Sequence, residues 1–265
     1  MRIVTFASGS RGNCALVSIG GAQFLLDAGI SFRRIREGLA GCGLAPEALS
    51  GVLITHEHSD HISGLATMLK HCDVPLYTTA TVAEGLCAAV PAAARCLHEV
   101  RFDGDRVSGV ELLPFPTPHD TPESVGWRLS TDGERFAAAT DMGHVTEEIR
   151  CGLSGADVVL VEANHDVTML RSGAYPPPLK RRVLSEHGHL SNDDCAALCV
   201  FLADSGARSI ILGHLSRENN TPELAYHTVS AALCGRPTRL YVAPAAARLE
   251  LELAPGPERC APCLR

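Results

Sequence analysis

Gly51-Val52-Leu53-Ile54-Thr55-His56-Glu57-His58-Ser59-Asp60-His61-Ile62-Ser63-Gly64-Leu65 carries an apolar run directly into three histidines and two acids, then into the start of a helix. The apolar part predicts a buried strand, Gly51–Thr55, and the polar part a loop at its carboxyl end. Solvated surface loops rarely concentrate imidazole in this way. His56 and His58 can turn toward one cation, and Asp60 and His61 toward a second. Imidazole and carboxylate donors suit Zn²⁺, Fe²⁺ or Mn²⁺. A polar loop with a chance histidine run is the bland alternative, and residues elsewhere in the chain count against it.

Asp27 closes the run Phe24-Leu25-Leu26, and Asp141 closes Phe136-Ala137-Ala138-Ala139-Thr140. His214 ends Ile210-Ile211-Leu212-Gly213, and His119 follows Pro114-Phe115-Pro116-Thr117-Pro118, which reads as a proline-rich turn. These positions give a consistent assignment. His56, His58 and His119 hold a first metal; Asp60, His61 and His214 hold a second; Asp141 bridges them. Asp27 is expected to orient the loop of His56 and His58 by accepting hydrogen bonds. Two cations about 3.5–4 Å apart would lower the pKa of water between them and supply a bridging hydroxide as nucleophile. Asp60 is counted with the catalytic residues as well as the ligands.

Two further histidines follow similar patterns. His165 lies in Val161-Glu162-Ala163-Asn164-His165-Asp166, and His189 in Glu186-His187-Gly188-His189-Leu190-Ser191. Either can protonate a leaving oxygen; each can equally be a structural histidine, and His187 reads as a surface residue. The small residues of Ser8-Gly9-Ser10-Arg11-Gly12-Asn13 can bring backbone N–H groups to a phosphate, although a tight turn explains them equally well.

The 265 residues fit one large domain or two small ones, and no linker between Gly20 and Leu253 separates them. Residues 1–253 are taken as one domain and residues 254–265, rich in proline and glycine, as a flexible tail carrying the CxxC pair Cys260 and Cys263. Most of the eleven cysteines read as small buried hydrophobes in a reducing compartment. No leader and no stretch of ~20 apolar residues is present, so the expected location is the cytoplasm, with no membrane partner. The net charge of −7 gives no support for broad electrostatic capture of nucleic acid. Local basic clusters remain at Arg33, Arg34 and Arg36, and at Lys180, Arg181 and Arg182.

Hydrophobic periodicity predicts strands over 2–7, 14–19, 22–26, 74–78, 124–130, 135–139, 158–162, 208–212 and 239–242. Helices are predicted over 32–42, 62–72, 79–90, 191–204 and 222–233. Ligand candidates fall in both the first and the second part. Two αβ halves, with strands in two sheets and helices outside, would then form one site at their junction.

These residues resemble the metallo-β-lactamase-fold hydrolases. Leu25-Leu26-Asp27-Ala28-Gly29 is similar to the first motif of that superfamily, His56 to His61 to the second, His119 to the third, Asp141 to the fourth and His214 to the fifth. The resemblance covers about residues 1–250 and implies a four-layer αββα sandwich. More narrowly, Ala7–Asn13, Glu162–Asp166, Gly188–Asn192 and His214–Asn220 together resemble the bacterial YycJ/WalJ branch. That resemblance implies exonuclease action on the 5′ end of DNA, with DNA as the macromolecular partner. It also implies that His165, His189 and Asn219 lie near the active site, Asn219 together with Ser8 and Asn13 as substrate contacts. Only 72 residues separate Asp141 from His214, too few for a β-CASP insertion, and no long arm for tRNA is present.

The leading expectation is a dinuclear phosphodiesterase using Zn or Mn, with Fe also suitable. A hydrolase of a small metabolite, a thioester or a cyclic phosphodiester, is the first alternative; a deep closed pocket would favour it, and an open groove flanked by basic residues would favour DNA. A non-catalytic metal-binding regulatory protein is the second, and requires a missing ligand or a blocked nucleophile position. Oligomeric state has no signature in the sequence.

Overall fold

The computed structural model describes residues 1–254. The CxxC pair and all but the first residue of the expected tail lie outside the described residues. In chain order the strands are β1 (Arg2–Ala7), β2 (Cys14–Ile19), β3 (Ala22–Leu26), β4 (Gly51–Leu53), β5 (Leu76–Thr78), β6 (Leu97–Glu99) and β7 (Asp105–Val107). They continue with β8 (Val110–Thr117), β9 (Ser124–Ser130), β10 (Arg135–Ala139), β11 (Val158–Glu162), β12 (Ser209–Gly213), β13 (Arg239–Val242) and β14 (Leu249–Glu252). The helices are α1 (Phe32–Ala40), α2 (Ser59–Ile62), α3 (Leu65–Met68), α4 (Ala80–Ala89), α5 (Glu147–Leu153), α6 (Val167–Ser172), α7 (Pro177–Val183), α8 (Asn192–Asp204) and α9 (Pro222–Ala232).

The strands form two seven-stranded sheets, ordered β14-β1-β2-β3-β4-β5-β6 and β13-β12-β11-β10-β9-β8-β7. Three apolar clusters account for the layering. One joins the first sheet to α1, α3 and α4 through Ile35, Leu39, Met68 and Leu86. A second lies between the sheets, where Phe24, Trp127, Phe136 and Ile211 meet. The third joins the second sheet to α5, α8 and α9 through Ile149, Leu198 and Val229. The result is the expected αββα sandwich. Trp127 spans the middle layer, and its indole N–H donates to Ile54 O on the facing sheet at 3.2 Å.

The order of the sheets places the site. β3 and β4 are parallel in one sheet, and β10, β11 and β12 are parallel in the other. Their carboxyl ends meet at one end of the sandwich, where parallel strands ordinarily present ligands. A cross-sheet bond from Val125 N to Thr55 O, 3.0 Å, fixes the histidine loop against the second sheet.

Helices α5, α6 and α7 and strands β6 and β14 have no counterpart among the predicted ranges, and two predicted features differ in kind. The helix predicted over 62–72 is two short pieces, α2 and α3. Gly64, between them, donates to Ala28 O at 2.8 Å, and a Cβ there would lie 2.0 Å from Ile30 O, so the chain must bend. The segment Pro114–Thr117 is strand, not turn. β7 pairs β8 only as far as Leu112, so Pro114 and Pro116 sit where β8 is an edge, which a missing N–H does not weaken. The cysteine expectation holds in part. All nine described cysteines are unpaired; five are buried, but Cys151 and Cys234 are exposed.

Candidate metal centre

Every ligand candidate sits on the residue or loop that follows one of these strands. Asp27 follows β3, the histidine loop β4, His119 β8, Asp141 β10 and His214 β12. Asp27, Asp141 and His214 have φ of 58°, 57° and 55°, in the left-handed region that non-glycine residues rarely occupy. Surrounding bonds hold each of them there. Asp27 N donates to Leu53 O (2.9 Å), His214 N to Ser8 Oγ (2.8 Å), and Met142 N, just after Asp141, to Glu162 Oε2 (2.9 Å). Such local strain clusters at functional sites, where the surrounding structure determines it.

The donor atoms converge in the expected groups. His56, His58 and His119 form one trio, and Asp60, His61 and His214 another. Asp141 lies between them. Its Oδ2 is 3.1 Å from His61 Nε2, and its Oδ1 is 3.5 Å from His214 Nε2 and 3.7 Å from His119 Nε2. The fully buried Nε2 of His56 has no hydrogen-bond partner. Burial, together with the neighbouring histidines, pushes the His56 pKa well below its ordinary value, so its lone pair stays available. A buried nitrogen lone pair with no proton donor, inside a nitrogen and oxygen donor set without sulfur, fits a divalent cation.

The far sides of the rings are fixed as metal binding requires. His61 Nδ1 donates to Asp27 Oδ2 (2.7 Å), His119 Nδ1 to Gly188 O (3.2 Å) and His214 Nδ1 to Glu162 Oε1 (2.9 Å). His56 Nδ1 contacts Thr55 Oγ1 at 3.0 Å, and that hydroxyl donates to Asp27. Each bond selects the tautomer that leaves Nε2 free for a metal. Asp27 therefore braces His61 directly and His56 through Thr55. It also accepts from the loop backbone, Thr55 N donating to Asp27 Oδ1 at 2.9 Å, as expected.

Burial opposes charge on His214, but Asp141, Asp60 and Glu162 outweigh it and raise its pKa to about 10. Asp141 is held well below the usual carboxylate range: burial acts against this, and His214 and His61 prevail. The centre is thus a dense alternation of anionic and cationic groups whose charges depend on one another.

Glu162, which stands in one of the family-like segments without a role assigned to it there, is the hub of the second half. It is fully buried at the end of β11 and accepts four hydrogen bonds. His189 Nδ1 (2.8 Å) and His214 Nδ1 (2.9 Å) donate to Oε1, and Met142 N (2.9 Å) and Leu190 N (3.2 Å) to Oε2. One carboxylate thereby ties the loops of Asp141, His189 and His214 together. Its signal was an acid closing an apolar strand, the same that marked Asp27 and Asp141.

The structure separates His189 from His165. The ring of His189 is 5.3 Å from those of both His119 and His214 and is 21% exposed. His165 is buried, with neither ring nitrogen partnered, and touches no ring of the cluster. The proposed substrate contacts sit behind the ligands. Ser8 accepts from His214 N; Asn13 accepts from Gly9 N at 2.8 Å and lies 3.1 Å from His61 Nε2; Asn219 donates to Ser216 Oγ at 3.3 Å. All three are buried; Ser8 and Asn13 brace backbone and ligands, whereas Asn219 bonds a serine hydroxyl and its Oδ1 has no partner. Of the two basic clusters, the one on α7 reaches the site: Arg182 Nε pairs with Asp120 Oδ2 at 2.5 Å, beside His119. Arg33 of the other cluster pairs within its own helix, with Glu37.

Residues 22–215 match the model of the Beta-lactamase superfamily domain. The chain is 35% identical over 230 residues to exodeoxyribonuclease YycJ of Bacillus anthracis, covering 86% of this chain and 87% of that one. It is 36% identical over 231 residues to exodeoxyribonuclease WalJ of Streptococcus pneumoniae, covering 84% of each. Among solved structures, Zn(2+)-bound PqqB from Methylobacterium extorquens superposes with a TM-score of 0.69 at 20% identity, over 96% of this chain and all of that one, a likeness of fold.

Proposed function

Because the chain belongs to the beta-lactamase superfamily, and within it to the family of the YycJ and WalJ exodeoxyribonucleases, it is a metal-dependent hydrolase, and we propose that it removes nucleotides from the 5′ end of DNA. The observation that carries this reading is the position of Asp141, with one oxygen toward His61 and the other toward His119 and His214. A carboxylate so placed serves a two-cation site. Zn or Mn suits its donors, with Fe also admissible. When bound, such a pair polarises phosphoryl oxygens and lowers the pKa of water.

The remaining work falls to the chain. Asp60 is 21% exposed, and His61 and His214 hold it ionised against burial. It can orient an attacking water by accepting its proton in a hydrogen bond. His189 commits Nδ1 to Glu162 at 2.8 Å, 3.7 Å from Asp141 Oδ1, and its ring lines a recess beside the cluster. Burial opposes its charge, but Glu162 raises its pKa, which favours a protonated ring able to donate to the departing sugar oxygen. The in-line attack forms a bond from water oxygen to phosphorus and breaks the bond to that sugar oxygen. DNA as substrate is supported by the names of the two relatives and by Arg182 of α7, which lines the same recess beside the cluster. No helix among the described residues is long and apolar enough to cross a membrane.

The test is end-labelled DNA, single- and double-stranded, incubated with Mn²⁺-loaded protein. Nucleotides should leave from the 5′ end, and His58→Ala should abolish release. Intact DNA and RNA alongside turnover of an acyl thioester would overturn the assignment in favour of a small-metabolite hydrolase.

A further inference from the structure

A recess of about 130 Å³ lies between α7 and the ligand cluster. Pockets that engulf a drug-sized ligand run to ~300–1,000 Å³, so this one holds no more than a single nucleotide's ring system at a time. Tyr175, Leu179 and Val183 form its apolar side, and Ser10, Asn164 and Ser216 its polar side. His119 and His189 line it as well, so it opens onto the centre, and the ion pair of Arg182 with Asp120 stands beside them.

Its walls are already assembled. His189 N donates to Val183 O at 3.0 Å, so the end of α7 is bonded to the residue that faces the reaction. Gly188 packs so closely that a Cβ there would lie 2.3 Å from the carbonyl oxygens of Arg182 and Val183. Lys180 Nζ donates to Arg171 O at 2.6 Å, tying α7 back to α6 across the segment that carries Tyr175.

We infer that this recess receives the base of the unpaired terminal nucleotide of the strand, set against Tyr175, with the sugar and phosphate left at its mouth toward Ser10 and Ser216. The inference rests on the phosphodiesterase reading and deepens it. An aromatic wall takes any base by stacking, whereas the hydroxyls of Ser10 and Ser216 can donate directional hydrogen bonds to phosphate; Asn164 Nδ2 donates to His214 O and shapes the wall. A nucleotide seated there places its 3′-side phosphate at the cluster beside His189. α7 bounds the recess on one side, with Val183 O bonded to His189 N. A recess that admits one base suits the end of a strand better than its middle.

The experiment measures equilibrium binding of 5′-dAMP, deoxyadenosine and inorganic phosphate to the metal-loaded full chain by calorimetry, for wild type, Tyr175→Phe, Tyr175→Ala and Leu179→Trp. 5′-dAMP should bind more tightly than phosphate. Tyr175→Ala should weaken it about tenfold, Tyr175→Phe should retain it, and Leu179→Trp, which fills the recess, should abolish it, with metal content unchanged in all four. If phosphate binds as tightly as 5′-dAMP, or if Tyr175→Ala binds 5′-dAMP as wild type does, the recess is not a nucleotide site, even where DNA is still degraded. If the binding pattern holds but wild type cleaves no DNA, the pocket stands and the nuclease reading falls.

Discussion

Replacing Glu162 by Gln keeps the shape of the side chain and removes one acceptor. The buried carboxylate accepts four hydrogen bonds, two at each oxygen. An amide has one oxygen, so its NH₂ group must face two donors in either orientation. With the amide oxygen toward the histidines, Met142 N and Leu190 N lose their acceptor. With the amide flipped, the two Nδ1–H groups lose theirs, and His189 and His214 are driven toward the tautomer that protonates Nε2. Each buried donor left unpaired costs about 1–3 kcal/mol, so Glu162→Gln should lower the unfolding free energy by about 2–6 kcal/mol. Loss of such an outer partner should also weaken metal binding at the His214 side by ~10–100-fold. Urea denaturation of metal-free protein gives the first quantity, and competition with a chromophoric chelator the second. A variant within about 0.5 kcal/mol of wild type, with unchanged metal affinity, would refute the hub role of Glu162.

Other consequences follow from the same geometry. His189→Ala should reduce kcat on DNA by ~10²–10⁴ while metal content stays constant, whereas His165→Ala should act through stability alone; equal turnover losses in both would show that neither is the acid. Gly29→Ala should abolish metal loading, because its Cβ would lie 1.6 Å from Asp60 O and 2.8 Å from Asn13 N, forcing the Asp60-His61 turn outward; a crystal structure or metal titration of the variant checks this. The pH dependence of metal-free stability has two limbs. Burial opposes ionisation of Glu162, yet His189 and His214 hold its pKa at about 2 against an ordinary 4.5. Its contribution, about 3 kcal/mol at ~1.4 kcal/mol per pH unit, is complete above pH 4.5 and should vanish as pH falls toward 2. His214, raised to about 10 from 6.5, contributes fully below pH 6.5 and should lose that contribution as pH climbs through 10. Urea midpoints that stay flat from pH 8 to 10.5 would contradict the alkaline limb.

The sequence exposes the ligands more readily than their supports because the two obey different rules. A ligand must stand at the open end of a buried strand, so an apolar run followed by Asp or His marks it, as at Asp27, Asp141 and His214. A support is defined by which orphaned donor it meets, and that partner is set by tertiary structure. Ser8 is the clearest instance. In the chain it is a small polar residue of a glycine-rich loop, which suits phosphate contact. In the fold, the left-handed backbone of His214 turns its N–H inward, 206 positions away, and Ser8 Oγ accepts it. Glu162 lay between these cases: its strand ending was visible, but its partners His189 and His214 stand 27 and 52 positions further on, with no shared periodicity to link them. The proline run misled for a related reason. A missing N–H argues against a strand only where a neighbour needs that donor, and β7 ends before Pro114. The break between α2 and α3 likewise comes from contact, since only the approach of Ile30 O makes a glycine necessary at position 64. Local pattern thus determines which residues face the reaction, and non-local hydrogen bonding determines which hold them there. Substitutions of buried supports such as Ser8, Asn13 and Glu162 should therefore alter metal affinity and stability before they alter the choice of substrate.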